Sequence, residues 1–403
     1  ITVTSDQTKM EVDLGLGQDT LVLNGNVTVT VSNTETITGG ASAQNVVLLD
    51  AYVGEIDLGL GNDKLTLDET TGANTNTITV SGVETIVGST DGDVIILADA
   101  PITGTFDLGA GIDTLLMDAT GGTISVGNIE TITGDIGSDF IAFASVAAGS
   151  VIDLGDGIDK VTLGNFINTL SVTDVETVVG GNSSDLVTIV GVSTGSYIDL
   201  GKGNDSVTFD AQNTTVTLAN VETIVGGAAV DIVVIDGLTY TGTVSLGGGN
   251  DSLTLSSSGN VVTISGIETV TGGGGDDKVT FAGAAQGLEI DLDAGNDKVT
   301  LDNYMNTLTL SNVESVSGGS VTDVITIDTV MTGGSLSLGS GDDSVTFTDG
   351  FTATFTAVET ITSGAEDDSV TLTSSYTGST IDLGAGDDYV FFAASGTATI
   401  SNV

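Results

Sequence analysis

Nine copies of one short phrase carry the residues best suited to chemistry. They read DLGLGQD at 13–19, DLGLGND at 57–63, DLGAGID at 107–113, DLGDGID at 153–159, DLGKGND at 199–205, SLGGGND at 245–251, DLDAGND at 291–297, SLGSGDD at 337–343 and DLGAGDD at 382–388. A Gly-x-Gly-x-Asp corner allows positive φ at its glycines, turns carbonyl oxygens inward and adds one carboxylate. Hard oxygen donors of this kind suit calcium, and the chain offers nothing soft for a transition metal. One such corner alone reads equally well as a turn that needs Gly and Asp for shape. Nine in register, in a chain of formal charge −49, favour metal.

The absences narrow the field further. The 403 residues include no His, no Cys, no Trp and no Arg; the six basic residues are all Lys. A Ser-His-Asp or Cys-His triad, a zinc site of the usual ligands and a guanidinium clamp for phosphate are therefore excluded. A nucleic-acid partner needs a basic footprint and would be repelled. Paired carboxylates occur throughout, but nothing marks one pair out from its copies as an acid–base couple, and no enzyme is expected. With 39% hydrophobic residues the chain can build a core, unlike an acidic disordered tail. No apolar run reaches the roughly 20 residues of a membrane-spanning helix, so no membrane insertion is expected.

A second phrase lies midway between the corners: TETITGG at 34–40, VETIVG at 83–88, IETITG at 129–134, and their successors to VETITSG at 358–364. Merging both series by acidic position gives a recurrence of about 23 residues, kept almost without exception from Asp57 to Asp382. Between the phrases run short β-branched segments such as Lys64-Leu-Thr-Leu67 and Thr77-Ile-Thr-Val80, whose period-2 alternation is that of a strand with one buried face. Such a unit cannot bury its apolar face alone; stacking does it. The expected fold is all-β, a β-solenoid (β-roll or parallel β-helix) of about 17 stacked coils of about 23 residues, paired into repeats of about 46 residues. A sandwich of hairpins would not explain the constant step. Residues 1–403 read as one continuous array of about nine repeats, a slice of a longer array without caps.

The segment Gly272-Gly-Gly-Gly-Asp-Asp-Lys-Val-Thr280 matches the nonapeptide GGxGxDxUx throughout. It resembles the repeats-in-toxin (RTX) calcium-binding family, in the long-coil variety of bacterial S-layer proteins and large surface adhesins. In that family turn carbonyls and the Asp carboxylate hold multiple calcium ions between stacked corners. The resemblance implies ligand aspartates at Asp19, Asp63, Asp113, Asp159, Asp205, Asp251, Asp297, Asp343 and Asp388, with carbonyls from glycines such as Gly59 and Gly61. At the second corner it implies Asp93, Asp139, Asp185, Asp231, Asp277, Asp323 and Asp368, with Asn45 in the first repeat. It also implies an extracellular or bacterial cell-surface location.

A coil of about 23 residues would place Asp57, Glu84, Asp107, Glu130 and successors such as Asp153, Asp199, Asp291 and Asp382 in one column about 4.8 Å apart. Like charges at that spacing repel by roughly 3.5 kcal/mol at an effective dielectric of about 20. Either calcium is interleaved there, or the side chains face solvent and are screened. The expected function is non-enzymatic: a calcium-stabilised rod in a surface layer, surface filament or large adhesin, with copies of itself or other surface-layer components as partners. One alternative is an ice- or glycan-binding adhesin module built on outward pairs such as Thr28/Thr30, Thr77/Thr79, Thr215/Thr217, Thr307/Thr309 and Thr354/Thr356. The other is the noncatalytic RTX tail of a secreted enzyme.

Overall fold

A computed structural model describes residues 1–67, 75–98, 102–117 and 120–403. None of them is helical, and no helix is long and apolar enough to cross a membrane. Strands alternate inward and outward residues as the sequence pattern dictates. In Val27–Ser32 the three valines are buried and Thr28 and Thr30 face out, with β-branched side chains fitting the pleat.

The chain divides into two compact units, Ile1–Asp205 and Ser206–Val403. Each has 22 strands among the described residues, assigned alternately to two parallel sheets. This is the expected β-solenoid. In the first unit Ile78, Ile95, Leu115, Ile132, Ile152, Val172 and Ile189 stack in register, none more than 4% exposed. Each such side chain contributes about 1.5–3 kcal/mol by leaving water.

The coils close on less chain than the motif spacing suggests, so there are somewhat more of them than expected. Thr123 pairs with Phe140, Phe140 with Lys160, Lys160 with Thr177 and Thr177 with Tyr197, so that sequence intervals of 17 and 20 alternate. In the second unit the chain takes five coils to pass from Thr223 to Ser317. One repeat of about 46 residues is thus about two and a half coils. Two short strands and two tight corners need no more chain than this. The motif recurrence reports where similar corners occur rather than where a coil closes.

The shorter coil overturns the expected acidic column. Asp107 is flanked in register by Val87 and Gly127, Asp153 by Thr133 and Thr173, and Asp291 by Thr271 and Ser311. No glutamate of the second phrase stacks on these residues. The five threonine pairs are likewise dispersed over both sheets, Thr28 beside Asn45, Thr77 beside Val94 and Thr307 beside Val324. A hydroxyl column does form elsewhere. In the second unit Ser206, Thr223, Thr243, Thr263, Thr280, Thr300, Ser317, Ser337 and Thr356 follow one another in register without a break.

Candidate metal centre

The two series of corner aspartates meet, because each second-corner aspartate lies one coil before a first-corner aspartate. The main-chain N–H of Asp93 donates to Asp113 Oδ1 (2.6 Å), Asp139 to Asp159 (2.7 Å), Asp185 to Asp205 (2.7 Å) and Asp231 to Asp251 (2.8 Å). Asp277 donates likewise to Asp297 (2.7 Å), Asp323 to Asp343 (2.8 Å) and Asp368 to Asp388 (2.9 Å). In the first repeat Gln44 N donates to Asp63 Oδ1 at 2.6 Å. Gln44, not Asn45, holds the second-corner place; Asn45 is the next residue along, between Thr28 and Lys64.

The ladder continues on both sides. The N–H of Asp63 donates to Glu84 Oε2 (2.7 Å), Asp113 to Glu130 (2.9 Å) and Asp159 to Glu176 (2.7 Å); Asp19 donates to Glu35 (2.7 Å). Below, Asn260 N and Nδ2 both donate to Asp277 Oδ1 at 2.7 Å, and Tyr240 N donates to Asn260 Oδ1 at 3.0 Å. Sequence reasoning missed these asparagines. Their signal was a constant offset of 17 in numbering: Asn76 before Asp93, Asn168 before Asp185, Asn260 before Asp277, Asn306 before Asp323. All four are wholly buried.

A carboxylate placed here is poorly solvated. The paired aspartates from Asp63 to Asp368 are at most 2% exposed; Asp19 and Asp388 are partly exposed. One oxygen takes the ladder hydrogen bond. The other, Oδ2, is buried without a hydrogen-bond partner at Asp63, Asp113, Asp139, Asp159, Asp185, Asp251, Asp297 and Asp343. At Asp93, by contrast, Oδ2 accepts from Ser89 N (3.1 Å) and Oγ (3.2 Å), and at Asp231 from Gly227 N (3.2 Å). Burial pushes the carboxyls of Asp63, Asp113, Asp159, Asp251, Asp297 and Asp343 up to about 6, against the pull of the N–H bond and helped by neighbouring carboxylates. Asp139, Asp231, Asp323 and Asp368 are raised for the same first reason.

Glycine leaves room beside these oxygens. A Cβ on Gly61 would lie 2.7 Å from Asp63 Oδ2 and 2.9 Å from the Ser42 carbonyl oxygen of the neighbouring coil; one on Gly203 would lie 2.7 Å from Asp205 Oδ1 and 2.8 Å from the Ser183 carbonyl oxygen. Gly59 turns the corner at φ 80°. The place a Cβ would take is therefore bounded by carboxylate and carbonyl oxygen, the donor set of a hard cation. Among the described residues no three acidic side chains converge on one point. A calcium ion would take its carboxylates from an aspartate pair, or at the first repeat from Asp63 opposite Gln44, and its remaining protein ligands from main-chain carbonyls. The donor set fits a hard cation: buried carboxylates, an Oδ2 without a hydrogen-bond partner at the eight aspartates named above, and main-chain carbonyl oxygens beside them.

The other aspartates singled out from sequence stand apart, at strand ends or, for Asp107 and Asp291, two residues before them. Asp57 Oδ1 accepts from Gly59 N (3.0 Å), Asp199 from Gly201 N (3.1 Å), Asp107 from Asn128 Nδ2 (2.7 Å), Asp291 from Asn312 Nδ2 (2.7 Å) and Asp382 from Asn402 Nδ2 (2.7 Å). Asp153 occupies the same strand-end place beside Thr173. These residues shape the turn that enters each corner.

No family model matches the chain, and no curated protein matches it. Among solved structures it is similar to a hyperactive, Ca2+-dependent, β-helical antifreeze protein from an Antarctic bacterium, at 19% identity over 86% of this chain and 84% of that one. The TM-score is 0.19. The fold and the site stand on this chain's own residues: a parallel β-solenoid with buried aspartate pairs at its corners.

Proposed function

We propose that the chain is a non-enzymatic calcium-binding protein whose solenoid is stiffened by calcium at the paired aspartates, serving as a structural element of an extracellular surface layer, filament or adhesin. The observation that carries this reading is the set of buried Oδ2 atoms without partners at the stacked corners. A buried carboxylate lacking a counter-charge destabilises the fold, and a cation between two of them removes that cost. Asp19, Asp63, Asp113, Asp159, Asp205, Asp251, Asp297, Asp343 and Asp388 are the ligands from the first corner. Asp93, Asp139, Asp185, Asp231, Asp277, Asp323 and Asp368 are those from the second. The pairing makes one ion per pair the natural count, rather than one per corner.

Calcium would bind the coiled state and not the unfolded chain, so folding depends on it by linkage. Extracellular modules bind calcium at about 10⁻⁴–10⁻³ M, which suits a chain that stiffens once outside a cell. Far-ultraviolet circular dichroism and thermal melting with calcium and then with chelator test the reading. Calcium should raise the melting temperature and chelator should reverse it; a melt indifferent to both refutes it.

The unbroken Ser/Thr column of the second unit favours one other reading, a module that binds glycan or ice along a hydroxyl strip. Glycan-array binding or thermal hysteresis, lost when Thr280 and Thr300 are replaced by lysine, would support it.

A further inference from the structure

The corners differ in the charge that surrounds them. Asp156 fills the middle place of its Gly-x-Gly; the other eight copies carry Leu, Ala, Lys, Gly or Ser there. Its N–H donates to the carbonyl of Asp135 on the preceding coil at 2.8 Å, so both exposed acids sit on adjacent rungs of the Asp139–Asp159 corner. One repeat on, Lys202 N donates in the same way to the Gly181 carbonyl at 3.0 Å, beside the Asp185–Asp205 pair. The two corners share a backbone and reverse the local charge.

A third acid adds to the first corner. Asp174 adopts φ 50° directly after Thr173, which pairs with Asp153. The equivalent residues Asn33, Asn128 and Asn312 have φ of 52–54° and donate an amide hydrogen to the aspartate beside them. A carboxylate cannot donate, so Asp174 brings a charge where those corners have a hydrogen bond. It feels Asp153, Glu176 and Asp156, and its charge reaches buried Asp159. Glu176, two residues on, accepts the Asp159 N–H at 2.7 Å, which places this turn on the rung next to the corner.

We infer that, within the unit Ile1–Asp205, calcium loads the two corners in a fixed order, the Asp139–Asp159 pair before the Asp185–Asp205 pair. The inference rests on the calcium reading above and adds to it a ranking set by residues that do not themselves ligate. A unit charge about 8 Å from a divalent ion in water-like surroundings changes its affinity about fivefold at low salt. The exchange of Asp156 for Lys202, with Asp135 and Asp174 in addition, therefore separates the two corners by about tenfold or more.

Hydrogen exchange read by mass spectrometry across a calcium titration at low ionic strength tests this on the whole chain. Peptides around Asp139 and Asp159 should gain protection at a calcium concentration about tenfold below those around Asp185 and Asp205. The double exchange Asp156→Lys with Lys202→Asp should bring the two midpoints together or invert them, and Asp174→Asn should raise only the first. Equal midpoints in the wild-type chain, or midpoints unmoved by the exchange while calcium still protects both corners, overturn the ranking and leave the calcium reading standing. A chain in which no peptide responds to calcium overturns both.

Discussion

Replacing Asp251 by asparagine separates two roles that one carboxylate holds at once. Asp251 is 1% exposed, accepts Asp231 N on Oδ1 at 2.8 Å and leaves Oδ2 buried without a partner. Asparagine keeps the shape and the accepting oxygen but removes the charge. Burial, with Asp231 and Glu268 nearby, lifts this carboxyl from 3.8 to about 6. Two units amount to about 3 kcal/mol against the charged form, and solvent just beyond the corner screens that to about 1 kcal/mol. The folded group titrates above the unfolded one, so the penalty is absent below 3.8 and grows as pH rises through about 6. Without metal at neutral pH, Asp251→Asn should therefore be more stable than wild type by about 1 kcal/mol, a rise in Tm of about 3 °C for a body of this size. With millimolar calcium the order reverses, because the variant has lost a ligand. Thermal melts by circular dichroism, with chelator and with calcium, give both halves. A variant less stable than wild type in chelator, or more stable in both conditions, refutes the account of the orphan oxygen.

Three further outcomes follow from the same geometry. Gly61→Ala should cost about 1–3 kcal/mol and weaken the response to calcium, since its Cβ would crowd Asp63 Oδ2 and the Ser42 carbonyl; Gly248→Ala, with open space around it, should melt like wild type. Asn260→Ala should lose about 3 kcal/mol in urea unfolding whether or not calcium is present, because Asn260 is wholly buried and bonds Asp277 Oδ1, Ser256 O and Ser258 O. The metal-free chain should gain stability on acidification from neutrality to pH about 5, the reverse of ordinary acid denaturation, since burial raises six first-corner aspartates to about 6 in the folded chain. A melting temperature that falls over that interval in chelator would contradict it.

The fold class was legible in the sequence because it depends on local chemistry repeated many times. Alternation such as Val27-Thr-Val-Thr-Val31 fixes which face of a strand is buried, and Gly-x-Gly-x-Asp fixes where the chain bends. The identities of the corner aspartates could be read off in the same way, as could the absence of any histidine- or cysteine-based chemistry.

Which residue lies over which was decided only by tertiary structure. Stacking depends on how much chain closes a coil, and that length is set by strand length and corner geometry rather than by the recurrence of a motif. A small change in coil length moved Asp107 away from Glu84 and Glu130 and set Asp93 against Asp113. It gave Gln44 the place assigned to Asn45, and it built a serine and threonine column from residues that no single strand marked out. The burial of Oδ2 without a partner is likewise a property of the closed coil. It takes two rungs, neighbouring carbonyls and a glycine that leaves them room, brought together from parts of the chain a full coil apart.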